Sequence, residues 1–346
     1  MTDTVKQYTK KIGLPRLIIS LFFLFLWIVS FIIKLPISTL VSDTIRRFGM
    51  FGILVLAMVP AIQSGIGPNF ALPLGIICGL LGGLISLEMG FVGMWAFIAA
   101  ILISLPFAVI TGLIYGMLLN KIKGSEMLVA TYTGFSIVSF MCMMWIFLPF
   151  KHREMVWPIG KGLRVTISLD TTFGEILNNW LGIRIGHIYI PTGLLLFFFG
   201  TCIIVWLFTR SKLGIAIRAA GDNPKFAQAS GINVDKTRII GTILSNVLGA
   251  VGILVYAQSY GFFQLYLAPL YMAFPAVAAI LIGGASAKKA KISHVIIGVL
   301  LFQGLLTVAL PVANAVVSEG NLSEVLRMIV QNGIILYALT QVGGEK

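Results

Sequence analysis

The chain has 346 residues, of which 58% are hydrophobic and only 11% charged, against roughly 25% charged in soluble proteins. With a mean hydropathy of +0.99, a soluble core of this length cannot hide the apolar surface, so lipid is the expected solvent. The formal charge of +13 does not call for nucleic acid, because Lys and Arg fall mostly in short gaps between apolar runs, where they act as topology signals.

A helix needs about 20 apolar residues to cross the hydrocarbon core. Lys6, Lys10, Lys11 and Arg16 precede a run at 17–33 that ends in Lys34-Leu35-Pro36 without a small-residue cleavage site, which reads as an uncleaved first span. Further spans are expected near 49–66, 73–87, 91–119, 126–149, 190–208, 239–258, 270–285, 293–310 and 324–342. Two stretches read as broken helices: Ile66 to Pro73, following Pro60 and Gly65, and Gln258 to Tyr266, closed by Pro269 and Pro275. Pro removes a backbone donor and Gly weakens a helix, so groups freed there must be buried in protein or face water. Their placement near the second and seventh spans suggests two related halves.

With the N-terminus cytoplasmic, Lys121 and Lys123, Arg210 to Arg238, and Lys288, Lys289 and Lys291 all fall inside, as the positive-inside rule requires. The expected fold is an all-α integral membrane protein with about ten transmembrane helices and both termini cytoplasmic. A single domain spans 1–346, with residues 150–189 outside and 209–238 inside. The outer loop carries Lys151, Arg153, Lys161, Arg164 and Arg184 against Glu154, Asp170 and Glu175, with Trp157 and Trp180. Such a basic surface suits an acidic partner or a solvated loop touching lipid head groups.

Catalytic patterns are nearly absent. Cys78, Cys142 and Cys202 lie inside predicted spans without CxxC spacing, so they read as small core hydrophobes, with no metal site expected. His152 and His187 fall in the outer loop and His294 at a span edge, without a triad or metal pattern. No GxxxxGK[ST] sequence occurs, so energy must come from a partner or a gradient. Coupled carriers keep ionisable groups deep in their spans; Glu88, Glu126 and Glu324 are all expected at span ends, which weakens that alternative.

The segment Ser211 to Asn233 is the most informative. Asn223 is a good N-cap, Pro224 suits the first helical position and Gly231 the left-handed residue after the end, so Pro224 to Ser230 is expected to form one short capped helix. Phe226, Ala227 and Ala229 would face a partner, unless the helix is only a connector resting on the chain's own spans.

The run "GIAIRAAGDNPKFAQASGINVDKTRI" resembles the cytoplasmic coupling segment of bacterial ABC importer permeases of the branched-chain amino acid, monosaccharide and nucleoside superfamily. The matching positions are Arg218, Ala219, Gly221, Asn223, Ala227, Gly231 and Ile232. The resemblance continues at Gly65 to Gly75, in Lys123-Gly124 leading to "MLVATYTGFSI", and in "AVAAILIGGAS", covering roughly residues 50 to 310.

The resemblance implies a non-enzymatic permease subunit without a cofactor of its own, with ATP and Mg bound by a separate ABC ATPase. It also implies a second permease copy or homologue and an extracytoplasmic solute-binding protein, in a bacterial inner membrane. Arg218, Gly221, Asn223, Pro224, Phe226, Ala227, Gly231 and Ile232 would couple to the ATPase, and Arg153, Lys161 and Arg164 would dock the binding protein. Gln63, Asn69, Phe70, Asn246, Gln258, Tyr260 and Gln264 would mark the translocation path, each polar group either touching solute or satisfying broken-helix backbone. Ribose-type relatives carry Gly-x-Asp-Leu-Ser-x-Gly in the first break, where this chain has Gly67-Pro68-Asn69-Phe70-Ala71-Leu72-Pro73-Leu74-Gly75. A monosaccharide or nucleoside is the expected solute, with a branched-chain amino acid-type permease or a gradient-driven carrier or channel as alternatives.

Overall fold

The first apolar run folds as α1 (Leu14–Ile32) and ends where Lys34 takes a left-handed conformation (φ 59°) just ahead of Pro36. The chain turns there into α2 (Ile37–Leu56), which passes through Ala57 into the short α3 (Met58–Gln63). The computed structural model describes residues 14–316, 325, 328, 329 and 331–336. Helix α2 thus begins well before the expected boundary at residue 49 and takes Asp43, Arg46 and Arg47 into a membrane-length segment. Arg46 pairs with Asp43 (3.3 Å) and Glu175 (3.9 Å) near the end of the bundle.

After the first break come α4 (Leu72–Glu88), α5 (Gly93–Lys121) and α6 (Glu126–Phe147). A folded connection then holds β1 (Thr166–Ser168), α7 (Ile176–Asn179), β2 (Ile183–Ile185) and β3 (Ile188–Ile190). The chain continues through α8 (Thr192–Arg210), α9 (Lys212–Asp222), α10 (Pro224–Ala229) and α11 (Val234–Tyr260). Past the second break lie β4 (Phe262–Gln264), a 3₁₀ turn (Ala268–Met272), α12 (Ala273–Ile282) and α13 (Ile292–Val316).

Among the described residues, six helical segments are long and apolar enough to cross a membrane, and three shorter apolar ones accompany them. The chain is therefore a mostly helical, multi-pass membrane protein. The span expected at 324–342 lies mostly outside the described residues.

Burial sorts the helices into two shells. The α2–α3 segment, α11 and α13 are mostly buried, whereas α5, α6 and α8 turn Leu102, Phe140 and Ile204 outward. An exposed apolar face suits lipid, which gives no hydrophobic drive between helices, so close packing must hold the bundle. Helix α4 supplies it: a Cβ at Gly75 or Gly79 would collide with the backbone carbonyls of Asn246 and Ala250 on α11.

The all-helical expectation needs one correction, because residues 150–189 are built around β structure. Strand β1 pairs antiparallel with β4, Ile167 opposite Phe263, and β2 pairs with β3 as a hairpin. The Glu88 carboxylate accepts backbone N–H bonds from Lys151 and His152 at 3.0–3.1 Å, and Phe173 packs on Phe263 at 5.8 Å. This layer defines the loop end of the bundle; α9, α10 and the α12–α13 connection mark the opposite end.

Candidate functional site

At the loop end, α2, α11, the second break and α13 surround a cavity of about 550 Å³. One wall is a row of rings, with Phe51 to Tyr256 at 6.2 Å and Tyr256 to Tyr260 at 5.1 Å. Arg47, Gln264 and Gln303 supply polar groups. Sequence reasoning placed Tyr260 and Gln264 on the path but missed Arg47, Tyr256 and Gln303. Arg47 was hidden by the misplaced start of its span; Tyr256 lay in an unremarkable apolar run.

Midway through the bundle the expected path residues are buried and mostly occupied. The Asn69 Nδ2 donates to Ser245 Oγ at 2.8 Å, while its Oδ1 accepts from the Ala71 amide at 3.0 Å. Asn69 therefore satisfies the broken-helix backbone, and Phe70 packs beside it on Phe274 at 5.7 Å. At the end of α11, Gln258 accepts through Oε1 from the Leu177 amide at 3.0 Å, and its Nε2 donates to Ser259 Oγ at 2.7 Å and to Val255 O at 3.2 Å. It clasps the folded connection to the end of α11 and is not among the cavity-lining residues. Asn246 is fully buried near Gly112 of α5, and neither side-chain atom has a hydrogen-bond partner.

At the opposite end the short helix α10 forms as its caps dictate. The Asn223 side chain accepts from the Phe226 amide at 3.1 Å, Gly231 takes φ 82°, and the Ile232 amide donates to Ala227 O at 2.9 Å. Helix α9, not foreseen as a separate element, is capped by Ser211, whose Oγ accepts from the Gly214 amide at 3.2 Å.

Phe226 is 68% exposed, and Pro224 and Gly231 are exposed as well. Ala227 is instead fully buried beneath the helix, so it anchors α10 rather than facing outward. Arg218 is exposed and donates from Nη2 to Thr209 O at 2.9 Å, satisfying a carbonyl at the end of α8.

Gly221 links these helices to the first break. A Cβ there would collide with Gln63 O and with the amide nitrogen of Gly65, itself at φ 77°. Only the absence of a side chain permits that approach. Gln63 itself donates to Ala290 O at 2.9 Å and lines two clefts of about 300 and 320 Å³ together with Arg218 and Lys291. A nearly buried ion pair, Arg238 to Glu126 at 2.6 Å, ties the α5–α6 turn to the start of α11. The structure thus places Gln63 at the opposite end, Tyr260 and Gln264 at the loop-end cavity, Gln258 against the folded connection beside it, and Asn69, Phe70 and Asn246 in between.

In the folded connection Arg153 and Lys161 are exposed, whereas Arg164 is half-buried and donates from Nε to Val156 O at 3.0 Å. Arg164 is thereby committed to the loop's own backbone.

The family described as the permease component of the branched-chain amino acid transport system matches residues 40–339. The nucleoside ABC transporter permease protein NupB of Lactococcus lactis subsp. cremoris (strain MG1363) is 24% identical over 308 residues, covering 86% of this chain and 79% of that protein. The galactofuranose transporter permease protein YtfT of Escherichia coli (strain K12) is 28% identical over 165 residues, 46% of this chain and 48% of that protein. A probable branched-chain amino acid transport permease protein, LivH of Methanocaldococcus jannaschii, is 46% identical over 54 residues, 15% of this chain and 17% of that protein.

Proposed function

The chain belongs to the family of permease components of the branched-chain amino acid transport system, and from that membership we propose that it is the transmembrane subunit of an ATP-binding-cassette importer for a nucleoside or a monosaccharide. A nucleoside comes first, because the relative matched over most of the chain is a nucleoside permease. The galactofuranose relative supports a sugar over half that extent.

In this reading the protein has about ten spans in a bacterial cytoplasmic membrane, with both termini and α9–α10 in the cytoplasm and residues 150–189 outside. It is a transport subunit and not an enzyme; ATP and Mg belong to a separate ATPase that grips α10. Two permease copies enclose the path, and a solute-binding protein docks on the loop end through Arg153 and Lys161, with Arg164 shaping the loop beneath.

The observation that carries the proposal is α10 itself. Six residues cannot hold a helix alone, yet this one is capped at both ends, plugged by Ala227, and holds Phe226 out into water. Such an arrangement suits a knob for a partner's groove. Closure of the ATPase dimer would move α9 and α10 as one body, and the Gly221 contact would carry that motion into Gln63 to Gly65, where the first helix break begins. Rocking of packed helices about such a break is a common form of alternating access.

Solubilising the chain from its native membrane and identifying what comes with it tests the reading. A P-loop ATPase should co-purify in stoichiometric amount. A chain that catalyses gradient-driven uptake alone in vesicles, with no ATPase attached, would replace the importer with a carrier.

A further inference from the structure

We infer that the loop-end cavity recognises the base of a 6-oxopurine nucleoside, with Arg47 reading its acceptor edge; the inference rests on the importer reading above and narrows its solute. The cavity, about 550 Å³, falls within the 300–1,000 Å³ typical of small-molecule sites. Tyr260, at 40% exposed, and Tyr271, at 67%, both line it. Flat aromatic faces hold nucleobases by stacking, whatever the base.

Arg47 supplies the discrimination. It lies near the loop end of a segment long and apolar enough to cross a membrane, where it lines the cavity. The nearby carboxylates, Asp43 and Glu175, both pair with Arg46, and no ion pair among the described residues includes Arg47. No Asp or Glu is among the described residues lining the cavity. A guanidinium offers a fixed fork of donors and no acceptor, so the matching ligand presents two adjacent acceptors.

Three solute classes can be weighed on that demand. An amino acid would bring a carboxylate, but also an ammonium that finds no acidic group here. A bare sugar offers hydroxyls and no flat face for the tyrosines. A 6-oxopurine presents O6 and N7 side by side, the edge that Arg grips in pairs, whereas adenine puts a donor at the O6 position and would oppose donor to donor. Gln264 and Gln303, whose amides both donate and accept, suit the ring N1–H and the ribose hydroxyls.

The test is equilibrium binding of inosine, adenosine and ribose to the purified full chain in lipid nanodiscs, paired with uptake by vesicles holding the chain and its ATPase. Inosine should bind more tightly than adenosine, and Arg47→Gln should weaken inosine by roughly ten- to a hundred-fold without weakening adenosine, whose N6 and N7 match an amide. Arg47→Lys keeps the charge without the fork and should also lose the preference. Tyr260→Leu should weaken both nucleosides alike. Equal binding of inosine and adenosine, unaltered by Arg47→Gln, would overturn the inference. ATP-dependent uptake of ribose with no binding of inosine would overturn it too, while leaving the importer reading intact. Inosine binding with uptake indifferent to the ATPase would support the site and remove the importer.

Discussion

Phe226 and Asn246 are two side chains whose surroundings do not match their chemistry, one apolar and exposed and the other polar in the core. For Phe226 the proposed remedy is a groove on the ATPase. Fully burying such a ring is worth about 2–3 kcal/mol, and Phe226→Asp would add an unpaired carboxylate. Co-purification of the ATPase should fall roughly 30- to 100-fold, with insertion of the chain unaffected because Phe226 lies outside every span. Retention of the ATPase at the parental level would reduce α10 to a connector. For Asn246 the remedy is replacement. A buried unsatisfied amide costs about 1–3 kcal/mol, so Asn246→Leu should raise the thermal unfolding temperature of the purified chain. A lower temperature would mean that the amide has a partner in some other arrangement of α5 and α11.

At the scale of elements, α10 was legible in the sequence and α2 was not, for opposite physical reasons. Caps act within four residues, so Asn223, Pro224 and Gly231 announce both ends of α10 with no tertiary information. The start of α2 depends on partners far away. Ser42-Asp43-Thr44-Ile45-Arg46-Arg47 reads as a polar connector until Glu175 and the Tyr189 amide, which donates to Ser42 Oγ at 2.8 Å, are brought against it. The partner of Gln258 at Leu177 was hidden for the same reason, because it is set by how the folded connection closes.

The contact between α9 and the first break was invisible too, although Gly221 stood in the recognised motif. Gly221→Val should force that contact apart, at about 1–3 kcal/mol of overpacking. Solute uptake should fall while the ATPase remains bound, since α10 itself is untouched. Uptake at the parental rate would show that motion does not pass through Gly221.

For the whole molecule the orientation is the central expectation. Cysteines introduced as Arg153→Cys and Lys289→Cys, with Cys78, Cys142 and Cys202 replaced by Ala, should react oppositely with an impermeant reagent applied outside. Reaction of the Lys289→Cys chain from that side would invert the map. If the loop end is outside, Arg153→Glu with Lys161→Glu should raise the amount of solute-binding protein needed for half-maximal stimulation of the ATPase. Added salt should produce the same trend in the parental chain, because exposed charges are screened beyond about 8 Å.

The β1–β4 ladder, finally, sets an order on biogenesis. If the loop end is outside, Leu163 crosses the membrane with α6, but Tyr266, which donates its hydroxyl to the Leu163 carbonyl, follows 103 residues later. At about 5–20 residues per second, the ribosome needs roughly 5–20 seconds to supply the second strand. For that interval the connection stands without its partner strand and is open to proteases, and it can close only once the chain has passed the end of α11.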